Sequence, residues 1–149
     1  MPERQPRDAP VIVLDTNVLV AGLCRRASSP SYRLLTNIQG GRVPIALTNK
    51  LYLEYEAVLK REEVLELTRL SSQDVEVVLD ALVFLASESA VHYLWRPNLA
   101  DSDDDFILEA AVSTGAVIVT KNVRDFHGGE LRFPELCVVT PQEFCDRYL

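Results

Sequence analysis

Asp15 closes a short apolar run, Val11-Ile-Val-Leu14, and a second set of acids, Asp101-Ser-Asp-Asp-Asp105, stands directly before the helical pattern that opens at Phe106. Carboxylates gathered in one place repel, and two of them about 4 Å apart cost roughly 4 kcal/mol at an effective dielectric near 20. A cluster of three or four must be protonated, spread apart, or hold a cation. Oxygen-only ligands select a hard ion, Mg2+ or Mn2+. Beside a phosphate such an ion activates water and offsets the charge developing on the leaving oxygen. Metal-assisted phosphodiester hydrolysis is the chemistry these residues would do if the fold brought them together. Each also has a simpler role. Asp15 with Thr16 and Asn17 can form a turn or a helix cap, and an acid in the first turn of a helix complements its dipole by about 0.3–1 kcal/mol. Capping accounts for one or two acids better than for four in five positions.

The elements that must position these acids alternate along the chain. Val11–Leu14 is a continuous apolar run, as in a strand buried on both faces. The helical stretch after it breaks around Arg25–Pro30, and Pro30 starts a new helix through Tyr32, Leu34, Leu35 and Ile38 to Gly40-Gly41. Pro44-Ile-Ala-Leu47 is a second strand. Thr48 or Asn49 caps the next helix, with Leu51, Tyr52, Tyr55, Val58 and Leu59 at helical spacing. Ser71 with Asp74 makes a capping-box-like start for another, carrying Val75, Val78, Leu79, Leu82, Val83 and Leu85. Ala90–Trp95 is a third strand, closed by Pro97. The acidic run caps a helix over Phe106–Thr114 that stops at Gly115. Ala116–Thr120 and Leu136–Thr140 are the fourth and fifth strands, and Pro141 opens a last short helix.

This alternation predicts an α/β fold: a three-layer α/β/α sandwich around a mainly parallel, about five-stranded sheet. In right-handed βαβ units, strand C-termini and helix N-termini share one edge of the sheet. Asp15, Asp103 to Asp105, Thr120-Lys-Asn122 and Glu54, one to two turns into its helix, can all reach that edge, where open α/β sheets place their ligands. Spacing alone does not choose between Glu54 and Glu56, which flank the apolar stripe about equally.

A chain of 149 residues, 48% hydrophobic and 25% charged, suits one domain with an ordinary core over 11–149. Residues 1–10 are polar and Pro-rich, expected to be a flexible leader and not a signal peptide. No apolar run reaches the roughly 18–20 residues of a membrane span. Three cysteines without a CxxC pair make a disulfide scaffold or zinc site improbable and suit a cytoplasmic protein. Cys137 and Cys145 fit buried apolar positions. The net charge of −7 argues against a module that binds nucleic acid by electrostatics alone. It weighs less against a metallonuclease, whose acids are neutralised locally by the ion. His92 and His127 are poor catalytic candidates, and Trp95 and the tyrosines suit the core or its rim.

Four segments in order resemble the PIN-domain family, RNase-H-like metal-dependent ribonucleases that include the VapC-type toxins of toxin–antitoxin pairs. Val11-Ile-Val-Leu-Asp-Thr-Asn-Val-Leu19 is similar to the family's opening strand and first acid, Asp15. Leu53-Glu-Tyr-Glu-Ala-Val-Leu59 is similar to the helix carrying the second, which maps to Glu54. Asp101-Ser-Asp-Asp-Asp-Phe-Ile-Leu-Glu-Ala-Ala111 resembles the motif of the third, mapping to Asp105. Val117-Ile-Val-Thr-Lys-Asn-Val-Arg-Asp-Phe126 resembles the last, a Thr followed two residues later by Asp, Asn or Ser. The resemblance spans Val11 to about Glu143.

It implies endonucleolytic cleavage of single-stranded or structured RNA, leaving 5′-phosphate and 3′-hydroxyl ends. Asp15, Glu54 and Asp105 would hold Mg2+ or Mn2+, with Asp103 or Asp104 able to share the third acid's work. The chain departs from the family pattern at Asn122, where many members carry an acid, and Asp125 can compensate. Thr120 and Asn122 would position water or phosphate, helped by Thr16 and Asn17. Lys121, Arg124, Arg25 and Arg26 would contact the backbone phosphates. The helices over roughly 50–86 would offer a surface for a homodimer or higher homo-oligomer, or for an antitoxin.

A haloacid-dehalogenase phosphatase also starts with a strand ending in Asp, but it needs a second Asp where this chain has Asn17. A receiver domain needs paired acids before its phosphorylated Asp, and none precede Asp15. The alternative that stands is a PIN-like module without turnover that binds RNA or protein, kept open by Asn122 and the negative net charge.

Overall fold

The structure is a computed structural model that describes residues 9–87, 106–126 and 136–149. Its sheet forms where the β-branched apolar runs fall. Strands β1 (Ile12–Leu14), β2 (Val117–Val119) and β3 (Val138–Val139) lie in the order β1-β2-β3, all parallel. Ile12 pairs with Val117 and Leu14 with Val119, and Val119 pairs in turn with Val139. Ile12, Val13, Ile118 and Val119 are wholly buried, as an unbroken apolar run in a parallel strand requires. The fold is α/β with a parallel sheet, as predicted.

The expected strand at Pro44–Leu47 contributes a single parallel bridge, Ile45 to Ile12. Ile12 N–H donates to Pro44 O at 3.0 Å and Ala46 N–H to Ile12 O at 2.9 Å. The chain then turns into the helix capped by Thr48, so the ladder stops after one step. The predicted strand Ala90–Trp95 lies outside the described residues, as do the acidic run Asp101–Asp105, His92, Trp95 and His127.

Helix α1 (Thr16–Leu23) follows β1 directly. Helix α2 (Pro30–Gln39) starts with Pro30 in its first turn and Ser29 as cap, its hydroxyl accepting from Tyr32 N–H at 3.4 Å. In α3 (Asn49–Leu59), Thr48 Oγ1 accepts from Leu51 N–H at 3.2 Å. Two helices were expected over roughly 50–86, but three form there: α3, α4 (Glu62–Thr68) and α5 (Ser72–Ser87). The break has a local cause. Arg61 leaves the helical region (φ −65°, ψ 140°) and separates α3 from α4, while Arg69 in a left-handed conformation (φ 62°) ends α4, where the Thr68 hydroxyl turns back to Val64 O at 3.0 Å. Reciprocal bonds between Ser71 and Asp74 open α5 as predicted, with Asp74 N–H to Ser71 Oγ at 3.1 Å and Ser71 N–H to Asp74 Oδ2 at 2.9 Å.

Helix α6 (Phe106–Thr114) ends at Gly115, whose φ of 70° suits a residue without Cβ. A 3-10 helix (Val123–Phe126), absent from the sequence reading, follows β2. Helix α7 (Pro141–Tyr148) closes the chain under a complete Thr140–Glu143 capping box. Among the described residues no helix is long and apolar enough to cross a membrane.

The helices bury Leu19, Leu34, Leu51, Leu79 and Phe144 against the sheet's apolar runs in one continuous core. Cys145 is buried as expected, but Cys137 is exposed. It stands just before a two-residue strand at the border of the described sheet, where burial has barely begun.

Gly22 sets how closely α1 and α2 approach: a Cβ there would lie 3.0 Å from Ser31 O and 3.1 Å from a Leu35 methyl. Gly22→Ala should therefore destabilise the fold by about 1–3 kcal/mol, as overpacking does. A lower midpoint in urea with an unchanged slope would show it, and an unshifted midpoint would mean the two helices separate freely.

Candidate active site at the C-terminal edge of the sheet

The ladder that pairs Leu14 with Val119 carries on one step past the strands. Asp15 N–H donates to Val119 O at 2.9 Å, and Thr120 N–H donates to Val139 O at 2.9 Å. Asp15 and Thr120 are thereby neighbours across two parallel strand ends. The wholly buried Thr120 donates its hydroxyl proton to Asp15 Oδ2 at 2.6 Å and accepts from Asn122 N–H at 3.0 Å. Asp15 occupies the N-cap position of α1 with extended backbone, yet its side chain makes no capping hydrogen bond. Capping does not account for this acid: its carboxylate is engaged across the sheet by Thr120, with the adjacent Thr16 amide as its one contact to the helix start.

Burial pushes the Asp15 carboxyl above its ordinary pKa, while the Thr120 hydroxyl and the Thr16 amide draw it down. The charge of Asp125, brought close by the 3-10 helix, pushes it up again. Asp125 N–H donates to Asn122 O at 3.0 Å, folding the segment after Thr120 back toward the strand end. Beside Asp15, Thr16 Oγ1 and Asn17 Oδ1 are buried without a hydrogen-bond partner among the described residues. A carboxyl made harder to ionise by burial and a like charge, next to unpartnered buried oxygens, forms an oxygen donor set that a hard cation or its waters would satisfy. The residues present fit Mg2+ or Mn2+ in that sense. Among the described residues, no group of three or more His, Cys, Asp and Glu side chains is gathered to hold an ion.

Glu54 is half-buried on α3, next to Tyr55, whose hydroxyl donates to Leu14 O at 2.5 Å. Glu56, which spacing could not separate from Glu54, is occupied elsewhere: Lys60 Nζ bridges it at 3.3 Å and also reaches Glu76 on α5. Glu54 makes no ion pair among the described residues. Lys121, Asn122, Arg124, Asp125 and Arg26 are exposed. Arg25, in a left-handed conformation (φ 56°) after α1, donates to Thr68 O at 3.3 Å and so also ties α1 to the end of α4. Asp103, Asp104 and Asp105 lie outside the described residues. The sequence reading missed Tyr55 as a site residue. Its position in the apolar stripe marked it as core, and nothing local signals where its hydroxyl goes.

The PIN domain family model matches residues 11–124, and the chain belongs to the PIN-domain family. Members of that family are generally nucleases, and PIN domains typically bind divalent metals. A comparison with curated proteins finds no match.

Because Asp15 holds its proton more tightly folded than unfolded, its effect on stability has a definite sign. Below the ordinary value of 3.8 both states are protonated and the residue carries no penalty. As pH rises from there through the raised folded value, the unfolded chain loses its proton first and stability falls. In metal-free protein, Asp15→Asn should remove this loss. Its urea midpoint should exceed that of the parent at neutral pH, with the gap closing below pH 3.8. A pH-independent gap would mean that Asp15 titrates alike in both states.

Proposed function

We propose that this chain is a metal-dependent endoribonuclease of the cytoplasm, and the toxin of a toxin–antitoxin pair. The observation that carries the nuclease reading is the Asp15–Thr120 contact. A half-buried carboxylate makes no side-chain cap of its helix and is held across the sheet by a buried hydroxyl, at the edge where α/β folds bind ligands, beside two buried oxygens unpartnered among the described residues. The family supplies the reaction class.

In this reading Asp15, Glu54 and Asp105 hold Mg2+ or Mn2+, with Asp103 and Asp104, next to Asp105 in sequence, and Asp125, whose charge reaches Asp15, able to share the ion's charge. When bound, the ion acidifies a water and offsets charge developing on the phosphate. Thr120 fixes the rotamer of Asp15, and its acceptance of the Asn122 amide holds the following turn in place. Thr16 and Asn17 offer their unpartnered oxygens to water or substrate hydroxyls. Lys121, Arg124 and Arg26 are exposed cations that suit backbone phosphates, as does the remaining donor capacity of Arg25.

The partner reading has its own support. Leu53, Leu67, Val77 and Phe84 on α3 to α5 expose large apolar side chains, Val77 and Phe84 at 68% and 62%. Such residues suit a homodimer or an antitoxin segment on the face expected for it.

The test uses purified protein freed of any inhibitor, labelled RNA, and Mg2+ or Mn2+. We expect cleavage to 5′-phosphate ends, loss in EDTA, and a fall of at least about 100-fold for Asp15→Asn, the scale on which first-rank electrostatic groups act. Cleavage that survives Asp15→Asn would defeat the assignment to this site. RNA binding without cleavage of any RNA offered would favour the turnover-free binding module instead.

A further inference from the structure

One side of β1 faces β2 through Val11, Val13 and Asp15. The other side presents the backbone groups of Ile12 and Leu14 to the Pro44–Leu47 segment. On that side the ladder ends with Ala46 N–H on Ile12 O, and the next carbonyl in register is that of Leu14. Leu14 is almost wholly buried, so its carbonyl needs a donor. The donor comes from α3: the Tyr55 hydroxyl, 2.5 Å from Leu14 O. The Tyr55 side chain lies in the core between Leu51 and Leu59 of the same helical stripe, both wholly buried.

This one bond joins two residues that each precede or follow an acid. Leu14 is followed by Asp15, and Tyr55 is preceded by Glu54. It fixes the height and rotation of α3 against the end of β1, and with them the separation of the two backbone positions that carry the acids. We infer that Tyr55 is a positioning residue for both Asp15 and Glu54, an inference that rests on the metal-dependent reading above. Tyr55 itself touches neither ion nor substrate in this role.

Tyr55→Phe keeps the ring and removes the hydroxyl, so the apolar packing of α3 persists. The readout is Mn2+ binding to full-length, metal-free protein by calorimetry without RNA, below the thermal transition, together with cleavage kinetics at saturating Mn2+. We expect Mn2+ affinity and kcat each to fall by about tenfold, within the range of residues that orient metal ligands, with KM for RNA unchanged. Tyr52→Phe, on the same helix and half-exposed, should leave both as they were. In a Glu54→Gln background, Tyr55→Phe should cost less Mn2+ affinity than in the parent, because the two act through one ligand. A Tyr55→Phe protein that melts lower but binds Mn2+ and cleaves like the parent would reduce the bond to a structural one and overturn the inference. An equal cost in both backgrounds would overturn the link to Glu54. A parent protein that binds no Mn2+ would overturn the metal-dependent reading and this inference together.

Discussion

The hydrogen bond from Thr120 to Asp15 is only as good as the register of two parallel strands. Side chains in a strand alternate, so a slip of one residue between β1 and β2 would carry Thr120 to the opposite face from Asp15. The apolar runs hold the strands in the sheet but, being apolar on both faces, do not choose the register; the change to polar residues at Asp15 and Thr120 does, and the ladder continues through Asp15 N–H and Thr120 N–H after the strands end. The polar pair is therefore held by the ladder that the apolar runs sustain. Stability of the sheet and geometry of the site are one property, and the residues that look least functional set the distance between the two that look most so.

The site is built against the stability of its own surroundings. Asp15 is half-buried where charge is disfavoured, Asp125 adds a like charge, and two buried oxygens beside it lack partners among the described residues. A buried polar group left unpaired typically costs about 1–3 kcal/mol. A chain under selection for stability alone would place an apolar residue at 15, as it does at 11 to 14, or a cap that bonds its own helix. Uncompensated oxygens at a sheet edge favour a functional reading over an incidental acid. The family match to residues 11–124 points the same way from an independent direction.

How much of this was legible in the sequence follows the range of the forces involved. Signals confined to a few residues were readable: Thr48, Ser71 with Asp74, Pro30, Pro141 and Gly115 each act within one turn, and each falls where it was expected. The parallel α/β class was readable because periodicity and alternation encode it. What could not be read depends on distant partners. The separate helix α4 turns on Arg61 taking an extended conformation that no rule for Arg foretells. The strand at Pro44–Leu47 shrank to one bridge because α3 begins immediately after it. Burial of Cys137 was inferred from its apolar neighbours, yet covering a strand's start requires an element that sequence does not place. At the site, Asp15 and Thr120 could be assigned to one edge, but their direct bond required the register. The choice of Glu54 over Glu56 gained physical support only when Lys60 was found holding Glu56.

Asn122 becomes intelligible in the same terms. Against the family pattern it stood out as a missing acid. Its backbone amide donates to Thr120 Oγ1, and that requirement is indifferent to whether the side chain is Asn or Asp. Its charge is another matter. Asp15 is already made harder to ionise by burial and by Asp125, and a second carboxylate on the same turn would add a further like charge close to it. A neutral amide keeps the turn and an oxygen donor while leaving Asp125, three residues on, as the acid of this segment. The turn's geometry and the charge carried on it are separable, and in this chain the backbone at 122 serves the first while the carboxylate at 125 serves the second.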